Sequence, residues 1–260
     1  EMCIRDSLSS VPLLEYVHLT SDPDFLMGDV SPTALGQFCQ HAQSHLKSLT
    51  LRHVNIFNGH LTSMRPIFSA DSSLRDLVLG YCHVSNEFDK CLAQFLGHNS
   101  CLTSVRLNVL GMESDDHGNN HDNNQNTGDR AERVIEALYG HDPPASASAC
   151  LLETSKALEL NRTMRSFEVF GSTTVATQEA FIETTRANYS LNHLYVEGLN
   201  DWQRYEISFH TTILNPVRRP LLEKDNASRD DWLDALVDQR NSLDIVFNLL
   251  SNYPTLCHFG

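Results

Sequence analysis

The sequence predicts an α/β solenoid, in which short parallel strands alternate with helices and a helical cap closes the carboxyl end. Three observations support this: a short apolar motif recurs six times, three of its five intervals are close to 28 residues, and segments with helical periodicity lie between the copies. One strand–helix unit cannot cover its own apolar face, whereas stacked units bury a continuous core. We therefore expect a right-handed β-α superhelix shaped like a horseshoe.

The recurring motif has the spacing LxxLxL, with other aliphatic residues or Phe allowed. Its copies are LEYVHL from Leu14, LKSLTL from Leu46, LRDLVL from Leu74, LTSVRL from Leu102, MRSFEV from Met164 and LNHLYV from Leu191. The starts are separated by 32, 28, 28, 62 and 27 residues, so three of the five intervals lie within one residue of 28. Apolar residues alternate in the second half of the copies, which predicts strands.

Apolar stripes with helical spacing occupy the segments between the motifs. The stripes are Leu35, Phe38, Cys39 and Ala42; Leu61, Met64, Ile67 and Phe68; Phe88, Cys91, Leu92, Phe95 and Leu96; and Ala180, Phe181 and Ile182. Ser31 and Pro32 predict the start of the first helix, as a cap followed by proline in the first turn. Ser85 is a candidate cap for the third helix.

These units resemble leucine-rich repeats of the ribonuclease-inhibitor type, whose unit has this length and alternates strand with helix. A further likeness is a polar residue three positions before the motif: Asp71, Asn99, Asn161 and Asn188. In that family the residue helps to turn the chain from helix back to strand. The family also places Asn or Cys eight residues after the first Leu, and only Cys82 fits that pattern here, so we expect irregular loops.

The array is predicted to span residues 11–200, with a polar, disordered insertion at about 113–130 that contains no apolar residue. The opening EMCIRDS resembles translated adapter sequence, so residues 1–10 are predicted to be a non-native or truncated leader. Residues 201–260 contain further apolar stretches with helical spacing. We interpret them as a helical cap that covers the last unit.

The tail also resembles that of leucine-rich-repeat proteins abundant in diatoms. In those proteins a segment like LNRAGR precedes a Trp-containing helix and a closing leucine-rich helix, and this chain has ILNPVRRPLL, then DDWLDALV, then FNLLSNYPTLC. Pro216 and Val217 replace the middle of the motif, and Arg218 stands where glycine would. This resemblance implies a lineage rather than a biochemical function.

Composition argues against several classes of partner. The formal net charge is -14, and a uniformly acidic surface repels both phosphate backbones and anionic membranes. The seven cysteines are spread singly without a CxxC pair, which favours reduced thiols and a cytoplasmic or nuclear protein. The sequence has no apolar run long enough to span a membrane.

No familiar catalytic motif occurs: G-x-S-x-G, the P-loop, HExxH and GxGxxG are all absent. His117 and His121 lie among Asp115, Asp116 and Asp122 in the insertion, but a Gly/Asn-rich segment offers no fixed metal geometry before binding. We therefore predict no catalytic residues, no metal site and no cofactor.

The predicted function is that of a monomeric module that binds a protein partner through the concave face of its sheet. Aromatic and arginine side chains are common anchors of interfaces. The candidate binding residues, all at outward strand positions, are Arg52, Arg106, Glu168, Phe170, Tyr195 and Glu197. A regulator of an enzyme, such as a GTPase activator or a ubiquitin-ligase substrate-recognition subunit, is the alternative, and a purely structural scaffold is a third reading.

Overall fold

A parallel β-sheet with strands in chain order forms the framework of the protein. The computed structural model describes residues 14–20, 31–56, 58–69, 71–85, 87–113, 150–224 and 227–253. The strands of the sheet are β1 (Tyr16–Thr20), β2 (Ser48–Arg52), β3 (Asn55–Ile56), β4 (Asp76–Ser85), β5 (Ser104–Glu113), β6 (Ser166–Phe170) and β7 (His193–Val196). The order is β1-β2-β4-β5-β6-β7, and the short β3 also pairs with β4. All six predicted strands are therefore confirmed.

The hydrogen-bonded register of the sheet follows the sequence motif. Leu49 lies opposite Leu77, Leu77 opposite Val105, and Val105 opposite Phe167. These residues occupy the same place in successive copies of LxxLxL, and each is at most 1% exposed. The motif therefore aligns neighbouring strands because a shift by one residue would turn every apolar side chain towards solvent.

Helices connect the strands, and successive helices of the array pack beside one another. They are α1 (Pro32–Ala42), α2 (Asn58–Met64) with a 3₁₀ turn (Arg65–Phe68), α3 (Phe88–His98), α4 (Leu152–Leu160), α5 (Val175–Ala187) and α6 (Asp201–Ser208). The helix predicted to begin after Ser31 does so, although the Ser31 side chain makes no capping hydrogen bond. The cap prediction for Ser85 is wrong, because Ser85 ends β4 and Glu87 precedes α3.

Buried asparagines turn the chain from helix into strand before β5, β6 and β7. The Asn161 side-chain oxygen accepts hydrogen bonds from the backbone N–H groups of Thr163 (2.9 Å) and Met164 (2.7 Å), and its amide donates to the Leu96 carbonyl (2.7 Å) of the previous unit. Asn99 and Asn188 make the same pattern of bonds. Each asparagine thus closes its own turn and also joins two units, which supports the role predicted for this position.

A buried carboxylate fixes the point where the chain re-enters the array after the insertion. The Asp89 side chain on α3 accepts hydrogen bonds from the backbone N–H groups of Glu153 (2.9 Å) and Thr154 (2.8 Å), in the first turn of α4. These N–H groups have no acceptor within their own helix, and a carboxylate also complements the positive end of the helix dipole. The predicted insertion lies outside the described residues, except for Glu113 at the end of β5.

The carboxyl-terminal region is helical, as the sequence predicted. A π-helical turn (Phe209–Leu214) continues α6 into α7 (Asn215–Leu222), followed by α8 (Arg229–Asp238) and α9 (Leu243–Asn252). Ile207 on α6 belongs to the apolar core beneath the sheet. A second apolar cluster contains Leu214, Leu221, Trp232, Ile245 and Leu249. The part of the chain covered by the structure contains no helix that is long and apolar enough to cross a membrane.

Arginine and asparagine side chains of α7 join this second cluster to the array. Asn215 donates to the Leu191 carbonyl (2.6 Å), and Arg218, only 2% exposed, donates to Asn215 and to the carbonyls of Thr185 and Arg186. These two carbonyls lie in the last turn of α5, where no N–H group of the helix donates to them. The guanidinium group therefore caps α5 from outside, and desolvation by burial lowers its pKa to about 10.

Candidate functional site

The face of the sheet opposite the helices presents rows of side chains from successive strands. Outward positions alternate with buried ones along each strand. One row contains Thr50, Val78, Arg106, Glu168 and Tyr195, which lie opposite one another in the register of β2, β4, β5, β6 and β7. Residues that are far apart in sequence therefore become direct neighbours on this face.

An ion pair joins two of the predicted binding residues across this row. Arg106 Nε lies 2.7 Å from Glu168 Oε2, and Arg106 Nη2 lies 3.0 Å from Glu168 Oε1, so the contact is bidentate. The hydrogen bonds to Glu168 raise the pKa of Arg106. The Arg106 side chain is 54% exposed and that of Glu168 is 14% exposed, and His193 Nε2 lies 3.9 Å from Glu168 Oε1. The pair is fixed in place while the arginine stays accessible to a partner.

An aromatic pair lies beside this ion pair. The ring centroids of Phe170 and Tyr195 are 4.9 Å apart with an interplanar angle of 34°. Arg106 Cζ lies 6.0 Å from the centroid of the Phe170 ring. Both rings are half-buried, so each retains an accessible surface. We call Arg106, Glu168, Phe170 and Tyr195 the β5–β7 patch.

The other two predicted residues lie outside the β5–β7 patch. The Glu197 carboxylate accepts a hydrogen bond from the Gly171 backbone N–H (2.6 Å), which directs the carboxylate towards the loop after β6. Arg52 is exposed on β2, opposite Gly80 of β4. The structure thus brings together four of the six predicted residues.

Two aromatic residues that the sequence analysis did not select form a second feature of this face. His53 and Tyr81 directly follow Arg52 and Gly80, and their rings stack with centroids 5.1 Å apart and an interplanar angle of 3°. Both backbones are left-handed, with φ of 54°. Gly171 and Gly198 hold the same place in later repeats with positive φ. An alignment of the repeats on this position would have shown two aromatic residues where later units have glycine.

The described side chains offer little reactive chemistry. Within the described ranges, no three His, Cys, Asp or Glu residues are grouped so that they could hold a metal ion. The candidate metal ligands of the insertion, including His117 and His121, lie outside those ranges. Burial raises the pKa of the Cys39 thiol to about 12 and that of Cys82 to about 11, so both are protonated at neutral pH. Cys39 packs as a small apolar side chain, whereas the Cys82 thiol also lies 3.5 Å from the carbonyls of Leu51 and Gly80.

Comparison with solved structures yields distant likenesses. The sequence matches no known protein family and no curated protein. Among solved structures, the chain is similar to the actin-binding site 2 of leiomodin-1, with 11% identity, a TM-score of 0.41, and coverage of 80% of this chain and 86% of the other. It is also similar to the tropomodulin carboxyl-terminal domain of Caenorhabditis elegans, with 13% identity, a TM-score of 0.38, and coverage of 81% and 90%. TM-scores this low support no inference about family or function.

Proposed function

We propose that this chain is a leucine-rich-repeat solenoid of the ribonuclease-inhibitor type, with a diatom-type helical tail, and that it binds a protein partner without catalysis. The match between the 28-residue sequence period and the strand register supports the repeat assignment. The asparagine turns that join neighbouring units support it further. In such an array the exposed sheet face would line the inside of a horseshoe.

The β5–β7 patch is the observation that carries the proposed binding function. Arginine and aromatic side chains are enriched in protein interfaces and supply most hot spots. Here the bidentate pair holds Arg106 in one geometry, and the contact between Phe170 and Tyr195 restricts both rings. A partner that docks on this patch would order few side chains on binding, which lowers the entropic cost of association.

Charge and thiol chemistry indicate the class of partner and the compartment. A net charge of -14 opposes binding to a phosphate backbone or to an anionic membrane. The described cysteines are free thiols, which is expected in a reducing compartment. We therefore infer an intracellular monomer whose partner is a protein.

A site-specific crosslink tests the proposed interface. A photoreactive benzoylphenylalanine at position 170 or 195 is expected to trap a discrete partner from a lysate of the source cells. The matched control places the same group at position 202 or 205, because Trp202 and Tyr205 are aromatic and exposed but belong to α6. Crosslinked species recovered equally from both pairs of positions, or from neither pair, would contradict the proposal.

Alanine variants supply a second arm for the same test. In an affinity pull-down without the photoreactive residue, Phe170→Ala with Tyr195→Ala should lower recovery of the same partner by about tenfold or more, because truncating an aromatic hot spot costs about 2 kcal/mol or more. Trp202→Ala with Tyr205→Ala should leave the recovery unchanged. Both double variants need far-UV circular dichroism spectra like that of the parent chain.

A further inference from the structure

Two residues with positive φ lie directly after β2, at His53, and inside β4, at Tyr81. In the left-handed region a glycine meets no steric penalty, whereas a residue with a Cβ does, and a bulky residue there is an outlier. Gly171 and Gly198 show that later repeats fill this place with glycine. His53 and Tyr81 keep the unfavourable conformation in two adjacent repeats, and the pairing of β4 with β5 shifts register between Gly80 and Cys82. Strain of this kind is concentrated at binding and catalytic sites.

The strained backbone presents a two-ring platform to solvent. The His53 and Tyr81 rings are parallel to within 3°, and Tyr81 is 42% exposed. The His53 N–H donates to the Gly80 carbonyl (2.9 Å), which ties the end of β2 to β4. Because Tyr81 remains 42% exposed, burial in the core does not account for its strained backbone.

An arginine completes the platform. Arg52 Cγ lies 3.0 Å from the point where a Cβ on Gly80 would lie, so the missing side chain of Gly80 leaves space for the arginine stem. Among the residues that the structure describes, no carboxylate lies within ion-pair distance of Arg52, in contrast to Arg106 on the same face. Desolvation and the nearby charge of Arg52 lower the pKa of His53. The charge at this place is therefore the guanidinium of Arg52, next to two neutral rings.

We propose that Arg52, His53 and Tyr81 form a second binding site, which takes an acidic segment of a protein partner. The guanidinium would pair with a glutamate or aspartate carboxylate, and an adjacent planar side chain would pack on the Tyr81 ring. Within the described ranges Arg52 has no carboxylate partner, and a carboxylate is the group that pairs with a guanidinium through two parallel hydrogen bonds. The site lies on β2 and β4, outside the β5–β7 patch, and does not depend on that patch.

The test is a titration of the isotope-labelled full chain, followed by two-dimensional NMR. The probe is a capped peptide of alternating glutamate and tyrosine, and the matched control peptide has glutamine for each glutamate. The glutamate peptide is expected to shift the backbone amides of residues 52–53 and 80–81, and the glutamine peptide is expected to bind about tenfold more weakly. Equal binding of the two peptides, or shifts elsewhere on the chain only, would overturn the proposal.

Variants separate the contributions of the charge and of the rings. Arg52→Gln should weaken binding of the glutamate peptide by about tenfold. Arg75 is an exposed arginine before β4, so Arg75→Gln makes the same change in net charge and should leave binding unchanged. Tyr81→Gly suits the left-handed backbone and should also weaken binding. Full binding by Arg52→Gln would refute the site. Phe170→Ala with Tyr195→Ala should leave this titration unchanged. A failure of the binding function proposed for the β5–β7 patch can therefore be distinguished from a failure of this second site.

Discussion

Asn188 offers a direct test of how the repeats are joined. Its side chain is fully buried between the end of α5 and β7. The side-chain oxygen accepts from the backbone N–H groups of Ser190 (2.7 Å) and Leu191 (2.9 Å), and its amide donates to the carbonyls of Leu158 and Asn161. That oxygen also accepts from the Ser190 hydroxyl (2.8 Å), so Asn188→Ala removes five hydrogen bonds without changing the apolar core.

The expected loss follows from which backbone groups keep another partner. The Leu158 carbonyl still accepts from the Asn161 N–H (3.1 Å), and the Asn161 carbonyl still accepts from the Ser190 hydroxyl (3.0 Å). The N–H groups of Ser190 and Leu191 have no such replacement. A buried donor left unsatisfied costs about 1–3 kcal/mol, so we expect Asn188→Ala to lower the free energy of unfolding by about 3 kcal/mol.

Urea unfolding monitored by far-UV circular dichroism measures this change, and Asp71 supplies a matched control. Asp71 occupies the same place in an earlier repeat, but it is exposed and makes no hydrogen bond among the described residues. Asp71→Ala should therefore shift the free energy of unfolding by about 0.5 kcal/mol or less. The reasoning would be refuted if Asn188→Ala cost less than about 1 kcal/mol, or if both variants cost the same.

Three further predictions concern acid, strain and the ion pair. His210 is buried, and desolvation is the main cause that lowers its pKa to about 4. The unfolded chain therefore binds the proton first, and the free energy of unfolding should fall by about 3 kcal/mol as the pH drops from about 6.5 to 4. His210→Gln should remove that slope in acid unfolding curves. Gly198→Ala, at φ of 84°, should cost about 1–2 kcal/mol in urea unfolding, and no loss would exclude strain there. A double-mutant cycle on Arg106 and Glu168 should give a coupling of about 0.5–1 kcal/mol that decreases in high salt, and an undiminished coupling would contradict solvent exposure of the pair.

The arrangement of the sheet could be predicted from sequence because one periodic pattern determines both burial and register. Leu77 and Val105 are each apolar at the same motif position, so stacking the copies necessarily places them opposite each other. The same reasoning predicted which side chains face outward, among them Arg106 and Glu168. Those two residues are separated by the insertion in sequence, yet the motif alignment places them on adjacent strands.

Contacts between units could not be predicted in the same way, because they depend on side chains that no period repeats. Asp89 caps α4 only because α4 starts next to α3, and sequence alone does not specify where the chain re-enters the array. In the sequence Arg218 stood out only as the residue that replaces glycine in the tail motif. Arg218 is buried because α7 lies across the end of α5. The free carbonyls at that end accept hydrogen bonds from the guanidinium group, a role that a carboxylate usually has for a buried arginine.

The two halves of the exposed sheet face satisfy their charges differently, and this difference determines what each half can recognise. In the β5–β7 patch Glu168 already neutralises Arg106, so a partner gains mainly contact with Phe170 and Tyr195. On β2 and β4 Arg52 has no such carboxylate among the described residues, so an acidic group of the partner could supply one. Binding at the first half should therefore depend on shape and apolar contact, whereas binding at the second should weaken with added salt. A single partner that covers both halves would need an apolar surface next to an acidic one.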